Sequence, residues 1–271
     1  MKSILETCIV RPDILTGSFN PEIFTASLSH VMDFYRGRPV DTHSPYIDAA
    51  AFFRDATFPT QGLRMVLRDV LGRLSGDNTC SAIHRLETAF GGGKTHILIA
   101  LAHLGKMGRE LKSVTEPILE DLPLMDPGQV YVVGIAGEEL PVMKPRGKEL
   151  VPYTLWGEIA FQIGEELYRE LKEEADSYAA PGKEFLERVL GGRKVLILVD
   201  ELAQYATRLE AAVPRGGDQL GAFLLTLNGY ARTHSGIAIV VSLASQADAF
   251  YTQTQRLAKL LSSVKGQDLT E

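Results

Sequence analysis

The chain has 271 residues, 45% of them hydrophobic and 23% charged, with a net charge of -6. A chain of this size can bury a sizeable core as one large domain or two smaller ones, and its acidic balance gives no bulk attraction to nucleic acid. Cys8 and Cys80 cannot build a disulfide framework, no apolar run reaches membrane-spanning length, and Glu6, Arg11 and Asp13 interrupt any secretion-signal core, so the expectation is a soluble cytoplasmic protein with no membrane segment.

Residues 1–78 read as a mainly helical N-terminal region. Asn20-Pro21-Glu22 has the cap-then-proline form of a helix start, followed by apolar residues at Phe24, Leu28, Val31 and Phe34. After the polar segment RPVDTHSP, the stretches DAAAFFRDA and TQGLRMVLRDVLGRL read as helical, with Thr60 as N-cap and Gly76 as stop. From Cys80 the rhythm changes. Four β-type runs, SAIHRLE, QVYVVGIAG, KVLILVD and IAIVVSLAS, alternate with helical stretches, which predicts an α/β fold with a doubly wound parallel sheet over residues 79–271.

Between the first of these runs and the helical stretch THILIALAHLGKMG lies ETAFGGGKTH, residues 87–96. A glycine-rich turn between a strand and a helix can wrap a phosphate with backbone N–H groups, and the helix N-terminus adds positive potential. Thr88, Ala89, Phe90, Gly91, Gly92, Gly93, Lys94, Thr95 and His96 are therefore the expected phosphate-binding residues. Lys94 neutralises the outer phosphates and takes part in catalysis, and the Thr95 hydroxyl reaches Mg²⁺. Thr88 stands where the usual pattern opens with glycine, and a glycine-rich turn with a solvated lysine is the competing reading.

In RKVLILVDE the apolar run Val195–Val199 reads as a buried strand ending in Asp200 and Glu201. In phosphoryl-transfer chemistry the first acid holds Mg²⁺ and the second orients or deprotonates the attacking water. Asp200 is thus the expected metal residue beside Thr95, and Glu201 the catalytic one. A helix beginning at Leu202 and capped by both acids is the alternative. Both acids are expected at the carboxyl edge of a central parallel strand adjacent to the one leading into the loop, with the Asp200 carboxylate within one water's reach of the Thr95 hydroxyl. Residues 237–245, after a helix over about 218–230, read as a strand whose polar end would bring Ser242 or Ser245 toward the terminal phosphate; an ordinary strand that happens to end in serine is the competing reading.

This order of loop, acid-ended strand, helix and polar-ended strand resembles the P-loop ATPases of AAA+ type that use a catalytic glutamate. More closely, RLETAFGGGKTH, LVDELAQYA, YIDAAAFFRDATFPTQGLRMVL and LWGEIAFQIG resemble a family of large bacterial and archaeal ATPases classed under a domain of unknown function. The resemblance implies a P-loop NTPase core that hydrolyses Mg-ATP to drive a switch or motor. It also implies a loop in which Thr88 is normal, self-association or partner subunits, and DNA reached through a larger complex such as a phage-defence machine. It further implies that the chain is the N-terminal part of a longer protein, ending before a fifth core strand and a helical lid, with residues 4–10 as a possible substitute strand. No Asn-Lys-x-Asp occurs, which favours ATP over GTP. A nucleotide-binding scaffold without turnover and a small-molecule phosphotransferase are the other two readings.

The remaining features carry plainer expectations. Trp156 reads as core, Gln204 and Tyr205 as packing or solvent residues or as contacts to a partner, and residues 138–154 as a solvated loop, with contact to nucleic acid or a partner subunit as the alternative. His96 reads as a first-turn histidine that hydrogen-bonds locally. Arg256, in RLAKLL, is either an activating arginine or the solvent face of an amphipathic helix.

Overall fold

A computed structural model describes residues 12–17, 25–42, 44–87, 93–147, 150–243 and 251–261. Its centre is a sheet whose described strands are β1 (Ile83–Leu86), β2 (Val130–Ala136), β3 (Lys194–Asp200) and β4 (Ile237–Ser242), in the spatial order β1-β4-β3-β2. Every pairing is parallel. The α/β reading with a parallel sheet is therefore what the molecule has. One expectation is corrected: the acid-bearing strand β3 does not adjoin β1, because β4 lies between them.

β3 and β4 are apolar at nearly every position because both faces are covered, as central strands of a parallel sheet require. Alternate residues serve opposite sides. Val195, Ile197 and Val199 enter one core with Ile237, Ile239 and Val241, whereas Leu196, Leu198, Ala238 and Val240 enter the other.

The second of these cores is closed by the early part of the chain. It holds α1 (Leu28–Tyr35), α2 (Ala49–Ala51, running into a π-helical turn at Phe52–Ala56), α3 (Gln61–Ser75) and α4 (Lys94–Met107). α1 and α3 thus pack directly on the sheet, through residues such as Met32, Leu67 and Leu71. The other face is covered by α5 (Leu155–Ile163), α6 (Lys183–Leu190), α7 (Leu202–Ala212) and α8 (Gly216–Thr233). Trp156 is buried there, 5.2 Å from Phe223 between ring centres, with its indole N–H donating to the Ser177 carbonyl.

α3 begins and ends as its sequence signals: the Thr60 hydroxyl accepts from the Leu63 N–H at 3.2 Å, and Gly76 closes the helix with φ 110°. α1 differs from expectation. Residues 25–27 are not helical, and Ser27 caps a helix starting at Leu28. Its outer residue Phe34 is 39% exposed rather than buried, and Asn20 to Phe24 lie outside the described residues. In the 138–154 loop, Leu140, Tyr153 and Thr154 are buried anchors. The proposed substitute strand at residues 4–10 lies outside the described residues, as does Cys8. The Cys80 thiol sits against Gly72 of α3, and burial, with Asp69 beside it, pushes its pKa up to about 12.

Candidate functional site

The carboxyl edge of the sheet gathers the expected acids. Register places Leu86 beside Ser242 and Ala136 beside Asp200, so the ends of all four described strands meet at one level. Asp200 is the last residue of β3 and only 6% exposed. α4 starts at Lys94 immediately after β1 and its loop, with Gly93 as N-cap in the left-handed region at φ 77°. A side chain is disfavoured at that φ, and the N–H groups of the first turn of α4 have no acceptor within the helix.

The two halves of the site are joined directly. The Thr95 hydroxyl donates to one Asp200 carboxylate oxygen at 2.7 Å, across 105 residues of sequence. The other oxygen accepts from the Ser242 hydroxyl and, at 3.2 Å, from the Glu201 N–H. Ser242 is fully buried, and its oxygen also accepts from the Glu201 N–H at 3.0 Å. The hydroxyl expected to face a terminal phosphate is in this structure engaged with the two acids, donating to one and accepting from the backbone of the other. Thr88, Ala89, Phe90, Gly91, Gly92 and Ser245 lie outside the described residues.

Glu201 begins α7 with φ 52° and ψ 40°, and its side chain makes no capping bond to the helix backbone. The carboxylate is thus not used as the helix cap of the alternative reading. A non-glycine residue in the left-handed region is disfavoured, and the surroundings enforce it. Gly137, just past β2, lies so close that a Cβ there would fall 2.4 Å from the Glu201 carbonyl oxygen, and its N–H donates to the Asp200 carbonyl at 2.8 Å. Arg208, one face of α7 further along, donates to the Gly137 and Glu138 carbonyls at 3.0 and 2.6 Å. Burial and the nearby Asp200 charge raise the Glu138 carboxyl above its ordinary range.

Three contributors were not legible in the sequence. Gly137 and Arg208 act through contacts between elements. Gln204 donates from its amide to the Glu201 carboxylate at 3.1 Å, and only its three-residue spacing from Glu201 could have flagged it. Tyr205 beside it is core. The histidine expectation is corrected: His96 Nε2 pairs with the Thr57 hydroxyl at 3.1 Å and its ring lies 4.5 Å from Phe52, a long-range contact, and burial lowers its pKa. Its partners come from the N-terminal helices because the outward side of the first turn of α4 faces them. Arg256, on α9 (Tyr251–Leu261), pairs with Asp218 at 2.5 Å and Glu210 at 3.5 Å within the same chain.

For Mg²⁺ the chain supplies hard oxygen donors, the Thr95 hydroxyl and the Asp200 carboxylate, and no cluster of three or more His, Cys, Asp or Glu side chains suited to a metal occurs among the described residues. That donor set fits an ion that keeps most of its shell as water and phosphate oxygen.

The family model described as the DUF499 N-terminal domain matches residues 4–259. The chain belongs to the DUF499 family. No curated protein and no solved structure matches it. Within this DUF499 chain the match spans every residue of the carboxyl-edge site, and no helix among the described residues is long and apolar enough to cross a membrane.

Proposed function

We propose that this DUF499 domain is a P-loop ATPase of AAA+ type, binding Mg-ATP at the carboxyl edge of its sheet and hydrolysing it to drive a switch or motor in a larger assembly. The observation that carries the reading is the Thr95–Asp200 hydrogen bond. It brings the residue after the loop lysine to the acid that ends a buried strand, which is the pairing a shared Mg²⁺ demands. Bound Mg²⁺ would supply charge neutralisation at the phosphates.

The chain's own residues divide the remaining work. The start of α4 presents backbone N–H groups and a positive dipole end to the phosphates, and Lys94 adds a full charge. Asp200 is held by Thr95 and Ser242 in one orientation, and with Thr95 it would hold Mg²⁺. Glu201, raised off the end of β3 by its left-handed backbone, takes the proton of the attacking water. The fixed strand ends keep these groups aligned, so little reorganisation accompanies the reaction.

Two variants test it. Calorimetry on Lys94→Ala should show ATP binding lost in a folded protein, and Glu201→Gln should bind ATP with unchanged affinity while turnover drops by about 10² or more. Unchanged ATP affinity in Lys94→Ala would sink the loop assignment. Undiminished turnover in Glu201→Gln would remove Glu201 from catalysis, and binding without any turnover in the unaltered chain would favour a non-hydrolysing scaffold.

A further inference from the structure

We infer that Gln204 is a positioning residue for the Glu201 carboxylate, an inference that rests on the reading of Glu201 as the group that activates water. Gln204 occupies the third position of α7, counted from Glu201 as N-cap. A glutamine there ordinarily turns its side-chain oxygen back to accept from the N-cap backbone N–H. That N–H is already taken, by the Ser242 hydroxyl at 3.0 Å and the Asp200 carboxylate at 3.2 Å. The Gln204 side chain still turns back, but it uses its Nε2 donor, 3.1 Å from a Glu201 carboxylate oxygen. An ionised carboxylate only accepts, so the amide orientation is fixed by its partner.

The backbone around this pair is immobilised from three directions. Ser242 holds the Glu201 N–H from β4, Gly137 leaves no room for displacement on the β2 side, and the Gln204 N–H donates to the Glu201 carbonyl at 3.0 Å within the first turn of α7. With the main chain fixed, the freedom left to Glu201 is rotation of its own side chain, and the Gln204 amide restrains that rotation. A base that must meet a water in one place loses rate when its side chain samples several rotamers.

The test is a double-mutant cycle on ATP turnover with Gln204→Met, Glu201→Gln and the combined variant, measured at saturating ATP and in single-turnover mode. Gln204→Met keeps length and helix propensity and removes the donor. Its expected result is a kcat about tenfold lower with an unchanged KM for ATP, the size of a lost hydrogen bond to a charged group, and no further loss when added to Glu201→Gln. Unchanged kcat in a folded Gln204→Met protein, or the same fractional loss in the Glu201→Gln background, would overturn the inference. Gln204→Leu, which also removes the donor and keeps helix propensity, should reproduce the kcat loss and serves if the methionine variant does not fold. Wild-type turnover in Glu201→Gln would instead be a failure of the catalytic glutamate itself, separable from a failure of Gln204.

Discussion

At the scale of single residues, Glu201 combines a reactive side chain with a backbone that most residues avoid. Its φ of 52° crowds Cβ against the neighbouring backbone carbonyl, at a penalty of about 1–2 kcal/mol for a side-chain-bearing residue. Only glycine escapes this penalty, though its greater unfolded-state freedom offsets part of the gain. Glu201→Gly should therefore be more stable than Glu201→Ala by about 0.5–1 kcal/mol, the reverse of the order inside a helix, and urea denaturation of the two variants would show it. Equal or inverted midpoints would mean that the left-handed backbone is not under strain. The acids and the loop lysine were legible because strand, loop and helix follow one another along the chain. The roles of Gly137 and Arg208 depend on which elements lie side by side, and that order has no local signature.

Among elements, legibility followed burial. β3 and β4 are covered on both faces, so their residues form the unbroken apolar runs that announce them. α1 opens at Leu28 on a Ser27 cap, which the apolar spacing through Leu28, Val31 and Phe34 does not mark. The end of α4 depends on a close approach invisible in sequence. Gly108 has φ 50°, and a Cβ there would stand 2.0 Å from the Met125 carbonyl oxygen, which the Arg109 N–H holds at 2.9 Å. Gly108→Ala combines backbone strain with a clash against main chain that cannot rotate away, and should lose about 3 kcal/mol. Gly128→Ala, at φ 79° with nothing within 4 Å, should lose only about 1 kcal/mol. Thermal denaturation of both variants checks the contrast, and equal losses would refute the clash at Gly108.

For the whole molecule, the change of rhythm near residue 78 marks a change of element type, yet one hydrophobic core spans it. The contact that shows this best is His103, on α4 and fully buried. Its Nε2 lies 2.9 Å from the Tyr46 carbonyl, which can only accept, so Nε2 carries the hydrogen and Nδ1 accepts from the Tyr35 hydroxyl at 2.7 Å. Phe52 and Phe53 pack on the ring, and Asp48 and His96 are the charged or titratable groups that act on it besides the two tyrosines. Burial lowers its pKa to about 4. The unfolded chain therefore takes up a proton near pH 6.5 that the folded chain refuses, so this contribution to stability is complete above the unfolded value and is lost as pH falls toward the folded one. Between pH 8 and pH 5.5 the loss should be about 1.4 kcal/mol. His103→Gln keeps a donor and an acceptor but cannot titrate, so it should be less stable at pH 8 and show a correspondingly smaller loss over that range. The comparison of the two proteins by denaturant titration isolates His103 from His96, whose half-buried ring contributes in the same direction. If the two pH profiles ran parallel, the buried neutral histidine joining the N-terminal helices to α4 would be ruled out.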